Sequence, residues 1–192
     1  MEYKAATILA NDTYCRTITM TYIETVRLIL RDFHPNDLTD YHAQIYSDPD
    51  VTRYLPGGQP RPIERTKLVL DFSIEHGREH GFSLWAVINK TDNRFVGHCG
   101  LIYIHNAPEV EVAYAFGKTF WGQGIGTEAA RASLRYGFET AGLNQIIALA
   151  VPENIASQRI MQKIGMRPQG LTERYYNTNL ALYTLSQDEF TP

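Results

Sequence analysis

Trp121-Gly122-Gln123-Gly124-Ile125-Gly126-Thr127-Glu128-Ala129-Ala130 is the stretch that decides how this chain reads. Three glycines alternate within five residues, after an apolar run at 110–116 and before a helical pattern. Glycine turns tightly and lets a ligand approach backbone amides. The first N–H groups of a helix have no internal partner, and the helix dipole favours anions beside them. Strand, glycine loop and helix start together form a phosphate cradle. The alternative is a glycine-rich hairpin that binds nothing, since short glycine patterns recur by chance.

Two familiar phosphate loops are excluded. The dinucleotide fingerprint needs glycine at 127 or at 129, where Thr127 and Ala129 stand. The triphosphate loop needs Gly-Lys-Ser/Thr, and no lysine lies in the loop to hold a terminal phosphate. A pyrophosphate without a transferable end fits better, and coenzyme A carries one.

A second strand-to-helix turn follows. Residues 146–151 form an apolar run that Pro152 stops, because proline cannot continue a central ladder. Ala156, Ile160 and Ile164 then repeat every four residues, and Gly165 stands where a helix C-terminal glycine belongs. Asn154 and Ser157 sit at this helix start, where either can serve simply as a cap.

The coarse order is strand, helix, helix, strand, strand, strand, helix, strand, helix, strand, strand. The first strand is expected near 26–31. A helix capped by Asn36 or Asp37 runs to about Tyr46, and a second helix runs over roughly 63–79. Strands follow near 82–89, 95–104 and 109–116. The helix after the glycine loop repeats Ala130, Leu134 and Phe138 on one face and ends at Gly142. Residues 48–62, rich in Pro and Gly, form a loop long enough to be functional.

The chain has 192 residues, enough for one domain that buries roughly 70% of the surface its unfolded form exposes. A net charge of -3 argues against a general nucleic-acid binder. No run is long enough to span a membrane, and Asn11 and Asp12 interrupt the start before a signal-peptide core can form. Cys15 and Cys99 are isolated, which fits free thiols and a cytoplasmic protein. His76-Gly77-Arg78-Glu79-His80 spaces two histidines four apart, but the glutamate is misplaced for a zinc hydrolase. A solvated helix end and no metal are expected.

Glu24-Thr25-Val26-Arg27-Leu28-Ile29-Leu30-Arg31, Ser47-Asp48-Pro49-Asp50-Val51-Thr52-Arg53-Tyr54-Leu55, the glycine loop, Pro152-Glu153-Asn154-Ile155-Ala156-Ser157 and Tyr183-Thr184-Leu185-Ser186 occur in one order. In that ordered set the chain resembles the GCN5-related N-acetyltransferase (GNAT) superfamily, and within it the branch of RimJ/RimL-type ribosomal-protein acetyltransferases. The likeness covers about 24–190. It implies an acetyltransferase domain over 24–192, with 1–23 as an N-terminal extension, either a flexible arm or an added edge strand. The implied fold is α+β in three layers, α/β/α. Its mixed, mostly antiparallel sheet is splayed between the fourth and fifth strands, those ending at Phe116 and Val151, and is flanked by helices. Two positions depart from the superfamily pattern. Trp121 stands where the loop usually begins with Gln or Arg, and Met161 stands where many relatives carry a tyrosine acid.

The resemblance implies direct acetyl transfer from acetyl-coenzyme A to a primary amine, a protein N-terminus or a small molecule, in a ternary complex. The pantetheine arm would pair with the backbone of Tyr114, Ala115 and Phe116, as in strand addition. The pyrophosphate would lie on Gly122, Gln123, Gly124, Ile125, Gly126 and Thr127, and Asn154 would bond the pantetheine. With the tyrosine position vacant, Ser157 is the nearest hydroxyl for the leaving thiolate. Glu109 and Glu111 share one strand face, and either could take the amine proton, Glu111 being the better match to the branch. An ordinary half-exposed polar face is the alternative for both. The acceptor site would be lined by the 48–62 loop and the hairpin of the sixth and seventh strands. No metal, nucleic acid or membrane partner is implied, and the state is monomer or homodimer. Another acyl donor, an antibiotic-like acceptor or a non-catalytic coenzyme A sensor remain alternative readings.

Overall fold

The computed structural model describes residues 4–5, 8–10 and 18–191; Cys15 lies outside them. The strands are β1 (Lys4–Ala5), β2 (Ile8–Ala10), β3 (Ile18–Met20), β4 (Tyr22–Glu24), β5 (Leu28–Arg31), β6 (Leu84–Asn89), β7 (Phe95–Tyr103), β8 (Val110–Phe116), β9 (Gln145–Ala150), β10 (Arg167–Thr172) and β11 (Leu180–Ser186). The helices are α1 (Leu38–Tyr41), α2 (Pro49–Thr52), α3 (Ile63–His80), α4 (Ile125–Arg135) and α5 (Ile155–Lys163). One sheet of nine strands has the order β1-β4-β5-β6-β7-β8-β9-β11-β10, and β2 pairs with β3 apart from it. From the first expected strand onward the order is the one expected except for α2, a single helical turn inside the expected 48–62 loop, started by Pro49 and by the Asp48 side chain that accepts from the Asp50 N–H. Ahead of it, β1 and β4 extend the sheet at its edge, with Lys4 opposite Glu24 and Ala5 opposite Ile23.

Layering follows from alternation. On β6, Trp85 and Val87 face one core with Leu101, Leu134, Ile146 and Met161, beneath α4 and α5. Leu84, Ala86 and Ile88 face the other, with Tyr41, Ile45 and Leu70 from the α1–α3 side. A sheet covered on both faces needs apolar residues at successive positions, and β6 is buried from Leu84 through Ile88. This is the expected α/β/α arrangement.

Two local readings change. The first helix does not begin with an Asn36 or Asp37 cap. Pro35 opens a 3₁₀ turn at Pro35–Asp37, and the Asp37 carboxylate reaches back to the His34 N–H at 2.7 Å while gripping Arg31. Proline suits the first helical position, so the start moves two residues earlier. A π-helical turn, His42–Tyr46, then carries this helix to the expected end. At the end of α3, His76 is buried rather than solvated. Its Nδ1 meets the Phe82 carbonyl at 2.8 Å and its Nε2 accepts from the Tyr103 N–H at 3.1 Å. Both ring nitrogens serve as neutral structural partners, and burial lowers the His76 pKa accordingly.

All strand pairs in the nine-stranded sheet are antiparallel except β8 with β9. These two run parallel and meet in register only at Glu111 and Ile147. On its other edge β8 stays paired with β7 all the way to Phe116 opposite Gly97. The sheet therefore opens along β8 beyond Glu111, the splay expected between the strands ending at Phe116 and Val151.

Candidate active site

The opening between β8 and β9 leads into a cavity of about 470 Å³. Its walls include Tyr114, Ala115 and Phe116 of β8, the glycine loop, and Asn154, Ser157, Arg159 and Lys163 of the β9–α5 turn and α5. Val51, Arg53, Tyr54 and Leu55 border it from α2 and the loop that follows. The start of α2 is pinned by the Lys118–Asp50 ion pair and by the Asp48 side chain, which accepts from the Asp50 N–H at 2.8 Å.

The glycines do two different jobs. Gly122 and Gly124 have φ of +73° and +77°, a region that side chains rarely adopt, and Gly124 caps α4. A Cβ on Gly122 would meet nothing within 4 Å, so this part of the backbone is open. The first intrahelical donor of α4 is the Glu128 N–H, bonded to the Gly124 carbonyl at 3.1 Å. The amides of Ile125, Gly126 and Thr127 precede it and are the free donors of the helix start. Gly126 serves packing instead. A Cβ there would stand 2.8 Å from Ile160 Cδ1 and 3.3 Å from Phe116 Cε2, so the Ile160 side chain would have to shift to admit it.

Gln123 does not line the cavity. Its carbonyl accepts from Arg27 Nη1 at 2.8 Å and its side chain turns back to the Thr119 carbonyl. Arg27 is a support of the loop, outside the cavity lining, that the loop motif did not reveal. Its Nε meets Glu128 Oε2 at 2.6 Å, and Glu128 Oε1 also accepts from Thr25 Oγ1 and from the Arg27 N–H. These partners hold the Glu128 carboxyl below its ordinary pKa despite partial burial. Arg27 thus fixes the loop carbonyl and neutralises a carboxylate in the first turn of α4. Arg27→Ala is expected to weaken coenzyme A binding about tenfold by calorimetry, the scale of one charge-assisted hydrogen bond. An unchanged Kd would confine Arg27 to surface stability.

On β8 the backbone alternates. The Gly117 N–H bonds the Val96 carbonyl at 2.9 Å, and the Ala115 carbonyl lies against Gly97. Ala115 therefore commits its peptide groups to β7, and only Tyr114 and Phe116 turn theirs toward the opening. This corrects the expectation that all three could pair with a ligand. Trp121 Nε1 takes the Phe116 carbonyl at 2.8 Å, tying the loop to the strand end. The departure at position 121 thus has a structural use that Gln or Arg would fill differently.

Asn154 is an N-cap, its Oδ1 accepting from the Ser157 N–H at 3.1 Å. The Ser157 hydroxyl lies 2.9 Å from the Tyr114 hydroxyl, which also donates to the Ser157 carbonyl at 3.2 Å. Burial holds the Tyr114 phenol well above its ordinary pKa. The side chain of Tyr114 was missed because a tyrosine within an apolar strand pattern reads as core. Met161 is fully buried and supplies no polar group. Arg159 and Lys163, four apart on α5, make no ion pair among the described residues.

Glu111 lies apart from the cavity wall, at the branch point of β8 and β9. On β8 it alternates with the positions that face α4 and α5, so it occupies the α1–α3 side of the sheet. Burial pushes its carboxyl up to about 7, against hydrogen bonds from the Tyr176 hydroxyl at 2.7 Å and the Leu149 backbone. Glu109 pairs with Arg174 at 2.6 Å. Of the two carboxylates, Glu111 is the one without a cation.

Comparisons agree with this geometry. Residues 27–167 match the acetyltransferase (GNAT) domain family. The chain belongs to that family. It is an acyltransferase fold whose relatives include the uncharacterized protein YkkB of Bacillus subtilis (strain 168). YkkB is 33% identical over 165 residues, which cover 85% of this chain and 94% of that protein. A GNAT-family acetyltransferase structure from Bacillus anthracis superposes with a TM-score of 0.75 at 29% identity, covering 88% of this chain and 99% of that one. RimL, a ribosomal L7/L12 alpha-N-protein acetyltransferase solved in complex with coenzyme A, shares the fold at 16% identity and a TM-score of 0.70 over 84% of this chain and 95% of its own.

Proposed function

We propose that this GNAT acetyltransferase moves an acetyl group from acetyl-coenzyme A to a primary amine, by direct transfer with both substrates bound. The observation that carries this reading is the half-open edge of β8 running into free helix-start amides. The cavity fits the cosubstrate. Outward peptide groups at Tyr114 and Phe116 suit an amide-bearing arm, the amides of Ile125, Gly126 and Thr127 suit a pyrophosphate, and Arg159 and Lys163 supply cations beside it. The thioester brings an activated acyl group with a thiol leaving group of pKa about 8.5.

The chain's own residues supply the rest. An acceptor amine must lose a proton to attack, and Glu111, with its carboxyl near neutrality, is suited to take it. Ser157 and Tyr114, hydroxyl to hydroxyl at the cavity wall, are suited to protonate the departing sulfur. The RimL fold similarity and the order of the sequence motifs support a RimJ/RimL-type acceptor, an amine at a protein N-terminus. Thiol release from acetyl-coenzyme A in the presence of peptides, ribosomal proteins and small amines tests the reading, with product mass identifying the transferred group. Tight binding of coenzyme A with no thiol release from any amine would replace it with a sensing role.

The hydroxyl pair carries its own prediction. Ser157→Ala and Tyr114→Phe are each expected to lower kcat about 10-fold to 100-fold with little change in cosubstrate Kd, at the low end of general acid effects. Because the two groups act as one unit, the double variant is expected to lose little more than either single one. Additive losses would separate their roles.

A further inference from the structure

We propose that Tyr176 is a positioning residue for Glu111, its hydroxyl holding the buried carboxylate at the β8–β9 branch point in the proton-accepting state. The inference rests on reading Glu111 as the base, and it names the group that keeps that base competent.

Tyr176 sits in the connection between β10 and β11, and its hydroxyl donates to Glu111 Oε2 at 2.7 Å. Its backbone has φ of +55°, and Asn177 follows at +51°. Two successive residues in the left-handed region cost backbone energy that surrounding contacts must hold in place. A tyrosine there needs a reason, because this region favours glycine and asparagine. The strained turn aims the Tyr176 side chain back at β8 while leaving the residue 46% exposed. Next to it, Tyr175 is buried against Ile104, Ile147 and Leu180, which anchors the turn.

The electrostatics around Glu111 make that hydroxyl matter. The titratable groups that act on it are Tyr114 on β8 and Tyr175 and Tyr176 on the β10–β11 turn, all neutral at working pH. Two residues before Glu111, just ahead of β8, Glu109 Oε1 is paired with Arg174 of the β10–β11 connection. Only two hydrogen bonds, from Tyr176 and the Leu149 backbone, oppose the desolvation of the carboxylate. Removing the hydroxyl withdraws support from the charged form, so Glu111 holds its proton to higher pH.

Isotope-edited infrared titration of the full chain reads the Glu111 carboxyl directly, with Glu111→Gln as the blank. Tyr176→Phe is expected to raise the Glu111 midpoint by about one pH unit. Tyr176→Asn, which suits the left-handed backbone and cannot reach Glu111, is expected to do the same. Thiol release from acetyl-coenzyme A with an alanyl dipeptide is expected to show its acid limb displaced by an equal amount and its high-pH plateau retained. Midpoints unmoved in both variants overturn the proposal. A midpoint that moves while the acid limb stays in place leaves Tyr176 as the carboxylate's holder and overturns instead the reading of Glu111 as the base.

Discussion

Thr127→Asp is expected to cut coenzyme A affinity by about 100-fold while leaving the fold at least as stable as before. Thr127 is the third residue of α4 and lines the cavity. A carboxylate in the first turn of a helix interacts favourably with the macrodipole, typically by about 0.3–1 kcal/mol. The same charge would stand where the pyrophosphate is proposed to lie, facing an anion at contact distance with reduced solvent screening. Stability and binding are thus driven in opposite directions by one substitution. Gly126→Asp is a poorer test, because a side chain at 126 also displaces Ile160 and crowds Phe116, which mixes packing with any effect on the ligand. Thermal melting together with calorimetric titration of coenzyme A checks the outcome. A Thr127→Asp protein that binds as tightly as wild type would move the phosphates away from the start of α4.

The parts of this molecule that could be read in advance are those written in local chemistry. Alternating glycines before a helix start marked the α4 loop, and proline after an apolar run marked the end of β9. The order of those motifs carried a family resemblance, and the resemblance implied the topology from β5 onward, including the opened pair of strands; the strands ahead of β5 and the turn of α2 were outside it. Relations between distant residues were not legible. Arg27 and Glu128 stand 101 positions apart and meet only because β5 and α4 start at the same side of the sheet. Tyr114 reaches Ser157 across the opening by alternation on β8, which exposes its hydroxyl only once the sheet has split. Tyr176 lies 65 positions from Glu111, in a turn with no motif of its own. Ala115 was misassigned for a related reason. Sequence spacing tells which face a side chain takes, but the direction of a peptide group depends on which neighbour holds the strand, here β7 through Gly117 and Val96.

Glu111→Gln is expected to abolish most activity and to change stability in a pH-dependent way of the opposite sign. Loss of a general base typically costs about 100-fold to 10,000-fold in rate. The wild-type kcat/KM for the acceptor is expected to rise with pH through about 7, as the Glu111 carboxyl ionises, and the variant is expected to lack that limb. Desolvation is the first cause of the raised pKa, so the folded protein holds this proton where the unfolded chain, near the ordinary value of 4.5, has released it. The folded state then binds more protons than the unfolded one, and stability falls as pH rises. The contribution is fully present below pH 4.5 and is lost as pH rises through about 7, a swing of roughly 3 kcal/mol for a shift of this size. Glutamine carries no charge to desolvate. The melting temperature of Glu111→Gln relative to wild type is therefore expected to climb between pH 4.5 and 7 and to level off above. Parallel melting curves across that range would show that Glu111 ionises freely in the folded protein.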